Sequence, residues 1–420
     1  MISPKNTASF LHAPRLLPLC LGALILVGGE GAGVTAARAQ GAANPSTAPV
    51  PDRFDYVLGT QNIGAKYHFT KETLLVEGAR QIRQMGSNML KLRLGPKYDE
   101  GGYTEPQNPN IRSLTALARD EPSYRQVFDM PFATYFIWTY CYGTYNQVTP
   151  WHGRMKPELL AKEYQEIYDL TKYLLTTYSG SGKTFFLGNW EGDWHLLSGT
   201  PVDKKPKWDR TPNADAVPGM IDWINTRQKA VDDAKRDTPH HDVQVYHYME
   251  VNLVQKGMKG ERCATLDVLP HTPVDFVSYS SYDSLKGNIA TDLPAALSFI
   301  ESKLPPKEGI TGKRVFIGEY TFGDLAPTDI NARAIEVMRA GLAWGCPYIL
   351  YWELYANEAE KDGKLKPFGL IDEHGAKQPL YDTHQHFYEQ AKAWVRDSEN
   401  REGHPPDAPT FDRQALQFLH

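Results

Sequence analysis

Cysteine is scarce in this chain. Cys20, Cys141, Cys263 and Cys346 stand at unrelated spacings, which is neither a disulfide framework nor a zinc pattern. One disulfide would still fit, with no pair singled out. Long apolar runs are almost missing: the one clear run, LLPLCLGALILVGG at 16–29, is too short to cross a bilayer comfortably. No block or stripe of a single charge occurs. The 45 basic residues face 50 acidic ones for a net charge of −5, which argues against a nucleic-acid partner. Nucleotide loops are lacking too. GTQNIGA at 59–65 is not G-x-G-x-x-G. SGSGKT at 179–184 lacks the first glycine of a phosphate loop and leads from helix into strand.

What is present begins with an export signal. Lys5 and Arg15 precede the apolar run, and ARAQ at 37–40 sets small residues where a signal peptidase needs them. A signal peptide is expected over 1–39, and Leu19 before Cys20 argues against lipid attachment. Residues 40–52 read as a flexible, Pro-rich lead-in. The expected location is periplasmic or extracellular, with no stable membrane insertion after cleavage. Aromatic residues are abundant, with 23 Tyr, 16 Phe and 9 Trp. Several Trp adjoin polar residues at strand ends, where an exposed ring offers a platform for the flat face of a sugar; most of the others are core.

Eight short runs with strand character recur: 54–65, 88–94, 132–138, 184–190, 242–250, 275–281, 314–320 and 348–354. Helical patterns separate them at 71–86, 156–180, 218–237 and 328–345, bounded by Pro near the start, Gly after the end, or a Thr cap at Thr328. Residues 255–274 show no helical period and predict an irregular connection. Eight β-then-α units imply an α/β fold, a (β/α)8 TIM barrel over 53–398, with a C-terminal tail over 399–420.

Chemistry in such a barrel sits at the C-terminal ends of the strands. Those ends carry Arg93; Trp138 and Tyr140; Asn189, Trp190, Glu191, Asp193 and Trp194; His247, Glu250 and Asn252; Tyr279, Tyr282 and Asp283; Glu319 and Tyr320; and Trp352 and Glu353. Carboxylates and aromatic rings thus gather on one rim. No His-x-His follows the first strand, and the one at His384 and His386 lies in the C-terminal helical region. A metal-dependent barrel hydrolase is therefore disfavoured, and no metal or cofactor is expected.

A strand four ending in Asn and Glu, a strand seven ending in Glu and a strand eight ending in Trp resemble the pattern of clan A retaining glycoside hydrolases. FGLIDEHGAKQPLYD at 368–382 is similar to the tail of many members. The resemblance implies Glu191 as general acid/base and Glu319 as nucleophile, acting on a β-linked oligo- or polysaccharide. Cleaving a glycosidic bond needs a proton for a poor leaving group and an anion beneath the anomeric carbon. It also implies supporting roles: Asn189 on the sugar 2-hydroxyl, Tyr279 or Tyr282 on the nucleophile, Arg93 steadying Glu319, and Trp352 as floor of the central subsite. Trp138, Trp190, Trp194, His247 and Glu250 complete the expected substrate-binding set. The clan commonly has Asn directly before the acid, whereas Trp190 intervenes here. Residues i and i+2 of a strand face one way, so Asn189 and Glu191 are expected to share the cleft, with Asp193 as a rival acid. A carbohydrate-binding barrel without catalysis, or a transglycosylase on the same site, would share the aromatic cleft; the surviving Glu pair favours the enzyme.

Overall fold

The computed structural model describes residues 52–145, 153–198 and 206–419. The expected signal peptide, and the lead-in up to residue 51, lie outside those residues. Eight strands, β1 (Leu58–Thr60), β2 (Met89–Leu94), β3 (Thr134–Thr139), β4 (Lys183–Gly188), β5 (Val243–Val251), β6 (Phe276–Ser280), β7 (Val315–Glu319) and β8 (Ile349–Tyr351), form one sheet in the order β1-β8-β7-β6-β5-β4-β3-β2. Every pairing is parallel. The seam between β1 and β2 is bridged where Gln61 pairs with Lys91 and the Asn62 N–H donates to the Lys91 carbonyl over 3.1 Å. This is the (β/α)8 barrel that the alternation implies.

Helices fill the connections: α1 (Leu74–Met85), α2 (Leu114–Asp120), α3 (Pro122–Asp129), α4 (Pro157–Thr177), α5 (Gly192–Leu197), α6 (Ala216–Asp237), α7 (Val254–Met258), α8 (Ile289–Lys303), α9 (Pro327–Trp344), α10 (Pro379–Glu402) and α11 (Ala408–Ala415). Proline opens α4, α9 and α10, where its fixed φ is pre-set and its missing N–H costs nothing. In α9 that proline starts the helix one residue before Thr328, so the expected Thr cap is not used. Residues 255–274 are irregular: α7 is short, and a π turn at Ala264–Val268 runs into a 3-10 turn at Leu269–His271. Residues 399–402 continue α10, and α11 sets Phe411 4.8 Å from the Phe54 ring. Cys141, Cys263 and Cys346 are free and buried.

Alternation decides what fills the barrel. Phe136, Phe186, Tyr246, Phe276, Phe316 and Tyr348, from six successive strand segments, meet as an aromatic plug. Its ring centroids stand 4.7 Å apart for Phe136–Phe186, 5.1 Å for Phe136–Phe316 and 5.3 Å for Phe186–Tyr348. These six rings pack against one another at the base of the barrel. Nearer the C-terminal ends of the strands the interior turns polar, with Lys91, Tyr248, Ser278 and Glu250 all fully buried. The site stands on that layer.

Candidate active site

Along β7, Phe316 faces inward and Ile317 outward, so strict alternation would turn Glu319 away from the barrel. The pairing slips instead. Tyr279 pairs with Ile317, but Ser280 pairs with Glu319, which leaves Gly318 as a bulge residue. Such a bulge re-aims the side chain that follows it. A Cβ at Gly318 would stand 1.8 Å from Ser278 Oγ, so only glycine fits. The bulge brings Glu319 to the cavity and presents the Gly318 carbonyl to Lys91 Nζ at 2.9 Å.

Glu191 reaches the same cavity from β4, by a different route from the one expected. The strand ends at Gly188, and Glu191 is already the residue preceding α5. The i, i+2 argument for Asn189 therefore fails. Asn189 is fully buried. Its Oδ1 accepts from the Glu250 N–H at 3.4 Å and its Nδ2 donates to the Trp190 carbonyl at 3.1 Å. It braces the turn and does not line the cavity. Gly192 follows, and a Cβ there would lie 2.6 Å from the Glu250 carbonyl oxygen. The turn is thus pressed against the end of β5. One turn into α5, Trp194 donates its indole N–H to Glu191 Oε2 at 2.5 Å.

The two carboxyls are wired differently. Glu319 Oε1 accepts from the Tyr282 hydroxyl at 2.7 Å. Its Oε2 lies 3.7 Å from Lys91 Nζ and has no hydrogen-bond donor among the described residues. Glu250 anchors Lys91 at 2.9 Å. It also accepts from Ser278 at 2.8 Å, Ser280 at 3.1 Å, the Glu191 N–H at 3.0 Å and the Trp138 indole at 3.3 Å. Burial pushes the Glu319 carboxyl up to about 8, with Lys91 and Tyr282 pulling it back and Glu250 adding to the rise. Burial, then the charges of Glu319 and Glu250, hold Glu191 well above the ordinary carboxyl range; the Trp194 indole and Lys207 oppose them weakly. A proton shared by this pair rests on Glu191, because the ammonium and the phenol both favour the anion at Glu319.

The cavity holds about 870 Å³ and is lined by Trp138, Trp190, Glu191, Trp194, Tyr282, Glu319 and Trp352, among others. Trp138 stands between Trp352 at 5.9 Å and Trp190 at 6.4 Å. The Trp352–Glu353 peptide is cis.

Other expected site residues lie elsewhere. Arg93 does not reach Glu319: its guanidinium donates to the Pro96 and Lys97 carbonyls at 2.7 and 3.2 Å, and Lys91, two residues earlier, holds the cation position. Tyr279 is fully buried and turned to Asp283 and Ser284, leaving Tyr282 as the phenol on Glu319. His247 faces the helices, with Arg227 of α6 at 3.4 Å, and is fully buried. Glu250 touches the Glu191 backbone and Lys91 but does not line the cavity. Asp193 accepts the N–H groups of Ala264, Asn252 and Leu253 at 2.7, 2.9 and 3.1 Å, so it splints the loop after β5 and has no path to a substrate oxygen. Glu353 accepts from the Ile63 N–H at 2.8 Å, across the β1–β8 edge.

Sequence reasoning missed Lys91 and the outer wall: Lys207, Trp208, Lys286, Phe322, Asn357, Lys366 and Phe368. Lys91 had a signal, since it shares the inward face of β2 with Arg93. The wall residues come from loops without a period to read. Among the described residues, no group of three or more His, Cys, Asp or Glu is placed to hold a metal ion.

No protein-family model matches the sequence, and a search of curated proteins finds no match. Solved structures do match. One is a GH2 β-galacturonidase from Eisenbergiella tayi, with 11% identity and a TM-score of 0.46, over 79% of this chain and 50% of that one. Another is a GH5_18 protein from Streptomyces cattleya in complex with Manβ1-4GlcNAc, with 14% identity and a TM-score of 0.49, over 86% and 88%. A third is xylanase 10B from Thermotoga maritima, with 12% identity and a TM-score of 0.44, over 82% and 98%. This chain spans only half the length of the first. All three are glycoside hydrolases by name; at such distances the activity of this chain has to be argued from its own site.

Proposed function

We propose that the chain is an exported retaining glycoside hydrolase acting on a β-linked glycan, with Glu319 as nucleophile and Glu191 as general acid/base. The observation that carries this reading is the unequal wiring of two buried carboxyls in one aromatic cleft. Glu319 Oε1 is fixed by Tyr282 while Oε2, beside Lys91, is left without a hydrogen-bond donor. Glu191 has no cation within ion-pairing distance among the described residues and stays protonated.

In the first step the Glu319 carboxylate attacks the anomeric carbon while Glu191 gives its proton to the departing oxygen. The glycosidic bond breaks as the glycosyl-ester bond forms. In the second step the Glu191 carboxylate takes a proton from water, whose oxygen attacks the same carbon. Glu319 is released, and two inversions leave the configuration retained. Trp138 and Trp352 line the cavity and provide apolar faces for the ring. The test is leaving-group dependence. Glu191→Ala is expected to lose about 10²–10⁴-fold on poor leaving groups and far less on activated aryl glycosides, whereas Glu319→Ala loses activity on both. Equal losses in the two variants would overturn the division of roles.

A further inference from the structure

The cations at the cavity wall are of two kinds. Arg333 is engaged by Glu336 at 2.5 Å and the Leu285 carbonyl at 3.1 Å. Lys366 is engaged by Glu358 at 3.0 Å and Asp324 at 3.9 Å. Lys207 and Lys286 line the same cavity and have no carboxylate partner among the described residues. Each rests on an indole instead. Lys207 Nζ lies 3.9 Å from the Trp194 centroid and 5.6 Å from that of Trp190, and Lys286 Nζ lies 5.3 Å from that of Trp208. Trp194 and Trp208 meet edge to face at 4.8 Å.

Resting on a ring rather than on a carboxylate leaves each ammonium without a neutralising anion among the described residues. Two such charges beside one wall set up a positive field in the cleft. Between them Trp208 stays 41% exposed, an open apolar face. A neutral sugar would use that ring and hydrogen bonds from the lysines, but not their charge. A sugar carrying an acidic substituent would use all three, its C–H face on the indole and its anion at the ammoniums.

We infer that the cleft takes an acidic glycan, its carboxylate or sulfate substituent held by Lys207 and Lys286 over the Trp194–Trp208 pair. The inference rests on the glycan-cleaving reading above and adds the substrate class. Lys207 lies over Trp194, whose indole holds Glu191, so the anion sits on the side of the departing sugar. There it also offsets the pull of Lys207 on the Glu191 proton, which couples the charge of the substrate to the readiness of the acid.

The test uses the full chain carrying Glu191→Gln, titrated calorimetrically with a β-1,4-linked oligomannuronate, a sulfated carrageenan oligosaccharide, and neutral cello- and manno-oligosaccharides of matched length. One of the acidic ligands is expected to bind at least about tenfold tighter than the neutral ones. The margin should shrink as salt rises from about 0.05 to about 0.5 M. Adding Lys207→Met or Lys286→Met should reduce that margin about fivefold or more, with an unchanged melting temperature showing that the fold persists. Which acidic ligand binds separates carboxylate from sulfate. Preference for the neutral ligands, no binding of either acidic one, or a margin untouched by both lysine substitutions overturns the inference. Tight acidic binding without cleavage by the unsubstituted chain supports this subsite and counts against the hydrolase reading alone.

Discussion

At the scale of single residues, the site is a set of carboxyls kept apart by their partners. Tyr282 is the cleanest probe, since its hydroxyl steadies the anion of Glu319 and nothing else in the pair. Removing it in Tyr282→Phe disfavours the charged form, so the acid limb of kcat/KM should move to higher pH. A hydrogen bond to a charged group is worth about 1.5–3 kcal/mol, which puts the loss in kcat/KM at roughly 10–100-fold. A pH–rate profile that falls uniformly without a shift would contradict the role assigned to this phenol. Glu319 makes a second, opposite prediction for stability. Its folded-state value of about 8 is raised above the ordinary 4.5, so the native state holds the proton more tightly than the unfolded one. Stability is therefore fully present below about pH 4.5 and is lost as pH rises toward 8. Glu319→Gln cannot ionise. It should melt near the parent temperature at pH 4 and several degrees higher at pH 8, while being inactive. Equal melting temperatures at pH 8 would mean that burial costs this carboxylate nothing.

At the scale of elements, the turn from β4 into α5 is what sets Glu191 in place. Gly192 lies against the Glu250 carbonyl, where a Cβ would come to 2.6 Å, and Asp193 gathers three backbone N–H groups from the loop after β5. Gly192→Ala should cost about 1–3 kcal/mol by overpacking and lower kcat by displacing Glu191. Asp193→Ala strands buried donors at about 1–3 kcal/mol each, so it should lower the melting temperature and leave the preference for good leaving groups as it is. An Asp193→Ala chain of normal stability that cleaves only activated glycosides would make Asp193 the acid. The same turn shows how far this site was legible in the sequence. Strand and helix periods are local, so the eight-fold alternation and the two rim glutamates could be read directly. The side on which a residue falls at a strand end was not legible. Asn189 was misjudged because β4 stops one residue earlier, and Glu319 reaches the cleft through a bulge that alternation alone would deny. Lys91 was missed because a lysine inside an apolar run reads as a strand-edge charge until its neighbours on other strands are known. Lys207 and Trp208 sit in a charged stretch that looks like a solvated loop.

At the scale of the molecule, the barrel separates stability from chemistry along its axis: an aromatic plug at the base, a layer of buried polar contacts above it, and an open aromatic cleft at the mouth. This division explains how a mouth with two buried, energetically unfavourable carboxyls is tolerated. Export is a separate proposal that rests on the first residues, with cleavage after Ala39. Protein recovered from outside the cytoplasm should begin at Gln40 by N-terminal sequencing. A product retained in the cytosol with Met1 intact would contradict it.

The central claim is that Glu319 and Glu191 play opposite parts in one double displacement. Azide tests it most directly, because it is a small nucleophile that needs no base and fits the space left by either side chain. With an activated glycoside, Glu319→Ala plus azide should yield the glycosyl azide of inverted configuration, formed by one displacement. Glu191→Ala plus azide should turn over faster and yield the azide of retained configuration, formed from the glycosyl-enzyme. The anomeric configuration of each product, read by NMR, decides the matter. The same configuration from both variants, or full activity in both without azide, would contradict the account.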